Sequence, residues 1–198
     1  MSIFRGILNI IVNIPFRYLI HWPGVSGLNS SHPDNKKYRQ QAWRVLTKLR
    51  KEGIIRSAGV SNYLVRHLEE LVNDPNFETP AVNQVEWHPR HHNSTLLEYC
   101  RKEGIFLQAY SSLGTSGSVS LRQDSTVKEI ALKLRKSPVQ VLLRWSYQQN
   151  IGILPKGSSR AHIEENIDLD FTIPDEDMQT LDSLKVKEKF SWDPAVVA

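Results

Sequence analysis

The stretch YRQQAWRVLTKLRKEGIIRSAGVSNY, Tyr38 to Tyr63, carries two different periodicities joined by one glycine. In its first half Trp43, Val45, Leu46 and Leu49 recur at roughly helical spacing. That run stops at Gly53, where a glycine can take the left-handed conformation that closes a helix. In the second half, Ile55 to Val60 is a short, mostly apolar run of strand length that gives way at once to Ser61 and Asn62. The pattern predicts a helix over Tyr38 to Glu52 and a strand over Ile55 to Val60.

The same alternation extends in both directions. Further strands are expected at Phe16 to Trp22, Ala81 to Val85, Ile105 to Tyr110 and Gly152 to Leu154. Helices are expected over Leu64 to Val72 with Ser61 and Asn62 as capping candidates, over Leu96 to Glu103 ending at Gly104, and from Ser137-Pro138 towards Gln149. Short apolar runs separated by helical segments are the mark of strands joined by crossover helices, hence of a parallel sheet in an α/β fold. Asp74-Pro75, Val25 to Lys37 and the Gly- and Ser-rich Ser112 to Ser118 read as loops.

Composition excludes several classes. The 198 residues are 40% hydrophobic and 23% charged, enough for one sizeable core. Lys and Arg number 25 against 21 for Asp and Glu, a formal charge of +4 with no basic arm, which argues against nucleic acid and fits a small anionic ligand. The single cysteine, Cys100 in LLEYCRKEG, cannot form an internal disulfide and belongs on the inner face of a helix, pointing to a reducing, cytoplasmic setting. The first sixteen residues, MSIFRGILNIIVNIPF, are apolar, but Arg5, Asn9, Asn13 and Pro15 interrupt them and the run is too short to span a bilayer. No small-residue cleavage site follows before Arg17, so a segment capping the core is expected rather than a secretion signal or a membrane anchor.

Every strand run ends by passing into polar or aromatic residues: His21-Trp22, Ser61-Asn62, Glu86-Trp87-His88, Tyr110-Ser111 and Pro155-Lys156. In parallel α/β folds ligands bind at these C-terminal strand ends. No GxGxxG and no GxxxxGK[ST] follows any strand, which excludes the two commonest phosphate loops.

Five segments in order, LIHWPG (Leu19 to Gly24), EGIIRSAGVSNY (Glu52 to Tyr63), PAVNQVEWHP (Pro80 to Pro89), QAYSSLG (Gln108 to Gly114) and ILPKGSSRAHIEEN (Ile153 to Asn166), together resemble the aldo-keto reductase family. The likeness covers residues 17 to about 194; residues 1–16 have no counterpart in it. It implies a (β/α)8 barrel of the TIM type, incomplete here, with the five strands as its fourth to eighth. It also implies an oxidoreductase that reduces aldehydes and ketones with NADP(H).

By that resemblance His21 is a catalytic residue, hydrogen-bonding the substrate carbonyl, and Trp22 lines the substrate pocket. Ser61, Asn62 and Gln84 match the polar trio that holds the nicotinamide carboxamide. Tyr110 matches the aromatic residue on which the nicotinamide stacks. Ser111, Leu113 and Gly114 match the pyrophosphate turn, with the residues after them as a lid. Lys156 and Ser159 match the binders of the adenosine 2′-phosphate, and Glu165 and Asn166 match those of the adenine amine. A lysine and hydroxyls at a helix start suit a phosphate on physical grounds as well. His162 stands where many members carry an arginine, and Arg160 lies two residues away. Histidine as a class is only partly charged near neutrality, so a pH-dependent hold on the phosphate is expected. Trp192 and Phe190 offer further pocket walls, whereas Trp87 and His88 suit a structural role equally well.

The family's proton-donating tyrosine and its lysine and aspartate precede the LIHWP strand. Met1 to Leu19 contains no Asp, no Lys and one tyrosine, Tyr18. Three apart on a strand, Tyr18 and His21 face opposite ways, so Tyr18 is expected to pack under a helix rather than act as the acid. The resemblance therefore implies either an enzyme of low activity or a catalytically inactive NADP(H)-binding or structural chain that works with a full-length partner. Five strands also leave two sheet edges, which invite pairing with another copy unless Ile3 to Ile14 covers one.

Overall fold

The structure of the protein, a computed structural model, describes residues 17–115, 119–184 and 186–198. Five parallel strands form one sheet in the order β1-β2-β3-β4-β5: β1 Arg17–Ile20, β2 Ser57–Ser61, β3 Val82–Glu86, β4 Phe106–Tyr110 and β5 Gly152–Ile153. Between and after them run α1 Asp34–Lys51, α2 Val65–Val72, α3 Ser94–Lys102, α4 Ser125–Leu134, α5 Pro138–Gln148, α6 Arg160–Ile167 and α7 Asp175–Asp182. Each neighbouring strand pair is parallel, so each return crosses over through helical chain. Five consecutive βα units of this kind form part of a (β/α)8 barrel.

The five expected strands are present with ends moved by one or two residues. His21 and Trp22 fall just past β1, and Ser61 and Glu86 close β2 and β3. Phe16, the expected start of the first strand, and Ile3 to Ile14, the expected edge cover, lie outside the described residues. The sheet edges among the described residues are β1 and β5.

One joint recurs at the helix-to-strand passages. Gly53 (φ 69°) and Gly104 (φ 69°) turn the chain in the left-handed region, and the next residues fold back onto the helix: Ile54 N–H bonds Leu49 O at 3.0 Å and Ile105 N–H bonds Cys100 O at 2.8 Å. Asn150 (φ 60°) does the same before β5, with Ile151 N–H on Ser146 O at 3.3 Å. Asparagine tolerates this conformation, which is why the third joint carries no glycine signal.

Several expectations needed correction. The first helix begins at Asp34, so the loop after β1 ends at Pro33 rather than Lys37. Ser61 and Asn62 do not cap α2; Leu64 does, its N–H bonded to His67 Nδ1 at 3.2 Å. The structure adds α4, capped by Asp124, and α7, with three acidic residues in its first turn, both of them starts that a helix favours. Tyr18 is 53% exposed instead of packed under a helix, since it sits on an edge strand. Cys100 is fully buried on α3 as expected, and burial pushes its thiol up to about 11.

Trp43, Leu68, Leu71, Leu142 and Trp145 fill the space between helices and sheet. Trp87 is structural: it is buried and stacks on Trp145 with ring centroids 6.2 Å apart. Gly59, in mid-β2, has no room for a side chain. A Cβ there would stand 2.6 Å from Leu19 Cδ2 and 2.7 Å from the Val82 carbonyl oxygen. Leucine can swing aside, but a strand carbonyl cannot without breaking the sheet. Gly59→Ala is therefore expected to cost about 2 kcal/mol, read as a lower urea midpoint; an unchanged midpoint would contradict the close approach.

Candidate active site and cofactor cleft

The C-terminal strand ends open on a cleft of about 1110 Å³. Parallel register decides what faces it. Ser61 pairs with Gln84, Gln84 with Gln108, and Glu86 with Tyr110, so side chains from β2, β3 and β4 stand in level rows. His21 and Trp22, leaving β1, complete one side of the cleft, and the loop Val25 to Ser30 flanks them. The opposite side comes from residues 190–193, 196 and 197 near the chain's end.

A chain of hydrogen bonds links the polar lining. Tyr110 Oη donates to Asn62 Oδ1 at 2.7 Å, and Asn62 Nδ2 donates to the His21 carbonyl at 2.9 Å and to Ser61 Oγ at 3.1 Å. Ser61 Oγ donates to the Gln84 carbonyl at 2.8 Å, and Gln84 Nε2 reaches Gln108 Oε1 at 3.0 Å. Burial pushes the Tyr110 phenol above its ordinary value. Asn62 (φ 63°) and Ser111 (φ 52°) both hold left-handed backbone immediately after a strand. Such positions cost of order 1–3 kcal/mol and cluster at functional sites. In this arrangement the Asn62 amide is engaged on both sides, so its orientation is fixed in advance.

The expected site residues fall in three groups. His21, Trp22, Ser61, Asn62, Gln84, Tyr110, Phe190 and Trp192 share the cleft. Ser111, Leu113 and Gly114 form the turn after β4, closed by Gly114 N–H on Ser111 O at 2.9 Å, and do not line the cleft. Residues 116–118 of the expected lid lie outside the described residues. Lys156, Ser159, His162, Glu165 and Asn166 gather at the turn from β5 into α6. There Ser159 is the helix cap, its Oγ accepting from His162 N–H at 3.2 Å. Lys156, Ser159 and His162 are exposed, Glu165 is half-buried and Asn166 is buried. The turn is tight, since a Cβ on Gly157 would stand 2.8 Å from Ile163 Cγ1 and 3.3 Å from Ile163 N. Arg160 lies along α6 in an ion pair with Glu164 at 2.7 Å.

Residues 17–186 match the model of the aldo/keto reductase family. The chain belongs to that family. Glyoxal reductase of Bacillus subtilis is 42% identical over 178 residues, 89% of this chain and 59% of the relative. The 9,11-endoperoxide prostaglandin H2 reductase of Trypanosoma cruzi is 37% identical, with the same shares covered. Among solved structures, an aldo-keto reductase from a Medee basin deep-sea metagenome library superposes with a TM-score of 0.81 at 31% identity, covering 96% of this chain and 66% of its own. The aldo/keto reductase of Brucella melitensis gives 0.76 at 34% identity, covering 91% and 65%. The chain thus spans about 59% of the length of the curated relatives it matches. No helix among the described residues is long and apolar enough to cross a membrane.

Sequence reading missed what holds the far wall of this aldo/keto reductase cleft. Arg66 Nη2 donates to the carbonyls of Ala195 and Val197, both at 2.8 Å, and His67 Nε2 meets Val197 O at 3.2 Å. Arg39, paired with Glu70 at 2.6 Å, also reaches Ala198 O. These partners lie more than a hundred residues apart in sequence, so no local pattern signals them. At the other end of the wall, Glu86 accepts from Lys189 and from two backbone N–H groups. Burial alone would raise the Glu86 carboxyl. The bonds from His88, Phe190 and Lys189 outweigh it and hold the group well below the usual carboxylate range.

Two expectations follow from these contacts. Tyr110→Phe removes the donor to Asn62 Oδ1 and is expected to cost about 1–2 kcal/mol, measured by urea unfolding; no loss would mean the bond is not formed in solution. Burial, joined by the charges of Arg39 and Arg66 and against the Val197 bond, lowers His67 to about 4. The unfolded chain takes up this proton near pH 6.5 and the folded chain does not until about 4. The contribution of His67 to stability is therefore complete above about pH 6.5 and is lost as the pH falls towards 4. Urea midpoints measured across that window should fall, and His67→Gln, which keeps both a donor and an acceptor, should flatten the slope.

Proposed function

We propose that this chain binds NADP(H) and presents a carbonyl carbon to its nicotinamide, as an oxidoreductase of aldo-keto reductase type acting on aldehydes or ketones. The observation that supports this most is the meeting of His21, Trp22, Ser61, Asn62, Gln84 and Tyr110, from four separate strands or the turns just after them, on one cleft.

The residues present fit that cofactor. Hydroxyl and amide groups of Ser61, Asn62 and Gln84 suit a carboxamide, which is both donor and acceptor. The Tyr110 ring offers a flat face, and the turn of Ser111, Leu113 and Gly114 offers backbone N–H groups. At α6, exposed Lys156 supplies a point charge and Ser159 a hydroxyl beside the positive helix end, with His162 adjacent. Glu165 and Asn166 take the adenine amine. NADP(H), when bound, supplies the hydride.

The rest of the chemistry belongs to the chain. His21 donates a ring N–H to the carbonyl oxygen and fixes which face of the carbon is presented. Trp22 and Trp192, edge to face with centroids 6.4 Å apart, flank the substrate. Tyr110 is the tyrosine among the described cleft residues, and its hydroxyl is committed to Asn62 with its pKa raised. It releases a proton reluctantly. With Tyr110 so committed and no other tyrosine among the described cleft residues, turnover should run roughly two to four orders of magnitude below that of an enzyme with a tuned acid.

That shortfall favours a second reading, an NADP(H)-binding chain that turns over little by itself and works beside another copy or a longer relative joined at a sheet edge. The buried single thiol accords with a reducing cytoplasm under either reading.

NADPH fluorescence titration of the 198-residue chain, followed by absorbance decay with a reactive aldehyde, separates the two. Slow, aldehyde-dependent decay supports the enzyme; binding without decay supports the second reading; no binding removes both. Lys156→Ala should weaken NADPH roughly tenfold and leave NADH unchanged. Equal weakening of the two would place the 2′-phosphate elsewhere.

A further inference from the structure

Glu86 ends β3, the central strand, and is 4% exposed. An ionised carboxylate taken out of water is costly unless paired and hydrogen-bonded. Its partners come from two places. Oε1 faces His88 Nε2 at 3.1 Å and accepts from Phe190 N–H at 2.5 Å. Oε2 accepts from Lys189 Nζ and from Ser191 N–H, each at 2.9 Å. Three of the four donors are thus consecutive residues of one segment, and two of them are backbone groups.

Backbone donors fix a chain path whatever the side chains are. The path matters because Phe190, Ser191 and Trp192 line the cleft, although Glu86 does not. Trp192 is 83% exposed and touches Trp22 edge-on, so little else packs it in place. Phe190 in turn lies against the His88 ring at 5.0 Å. Release of the segment would leave the carboxylate short of three partners, so the docked and released states differ by whole hydrogen bonds rather than by small shifts.

We infer that Glu86 is a positioning residue that docks Lys189 to Trp192 as the far wall of the cleft, so that the rings of Phe190 and Trp192 face what enters it and favour bulky aromatic over small carbonyl compounds. The preference rests on the carbonyl-site reading above; the docking does not.

The test uses Glu86→Gln in the full chain, which keeps size and removes charge. Trypsin cleavage at Lys187 and Lys189 is expected to accelerate at least fivefold while Lys48 and Lys51 on α1 stay protected. Cleavage at the wild-type rate, or equal acceleration everywhere, would overturn the docking. Should Glu86→Gln fail to fold, Ser191→Pro removes one backbone donor with the carboxylate intact, and the same local acceleration is required of it. With NADP+ present, so that no hydride is transferred, calorimetric titration of wild type and Glu86→Gln with 4-nitrobenzaldehyde and methylglyoxal reads the preference. The variant should lose about tenfold for the aromatic probe, equivalent to about 1.4 kcal/mol, and less than twofold for the small one. Equal losses, or none, would overturn the preference. If wild type binds neither probe, the carbonyl-site reading has failed and the preference falls with it, while the proteolysis result still decides the docking.

Discussion

Parallel pairing is the constraint from which the site follows. Strands running the same way must return through helical chain, and every strand then ends on the same side of the sheet. Once the register is set, Ser61, Gln84 and Gln108 stand in one row and Glu86 and Tyr110 in another, with no further instruction needed. Gly59 protects that register, because any side chain there would meet the Val82 carbonyl. A residue with no chemistry of its own thus underlies the placement of those that have it.

The sheet brings the polar groups together, and the turns after the strands orient them. Asn62 and Ser111 adopt left-handed backbone where the chain leaves β2 and β4. The strain is held by surrounding bonds, in the case of Asn62 by Tyr110, His21 and Ser61 together. A cleft whose donors already bond one another loses little freedom when a ligand arrives, which is the physical content of preorganisation.

Much of this was legible in the sequence. Strands showed as apolar runs, and two helix-to-strand joints showed through Gly53 and Gly104, because glycine is the residue that left-handed backbone favours most. The third joint, at Asn150, hid behind a residue with many other uses. The resemblance to aldo-keto reductases supplied the cleft residues, and the structure brings those from the first four strands together while leaving Lys156 to Asn166 as a separate group at α6. Local pattern failed where contacts are distant. Glu86 reads in EWHP as one more residue at a strand end, and only folding shows that its partners are Lys189, Phe190 and Ser191.

The fastening of the final segment also differs in span from the rest of the fold. Glu86 is separated from Ser191 by 105 positions and Arg39 from Ala198 by 159, whereas neighbouring strands join through crossovers of one helix, or two between β4 and β5. Loop closure over such spans is entropically expensive and is recovered only when its partners are already in place. Glu86, Arg39 and His67 therefore hold the final segment through contacts of high sequence separation, where the sheet and its helices are built from nearer ones. The far wall is thus the part of the cleft whose attachment closes the longest spans of chain.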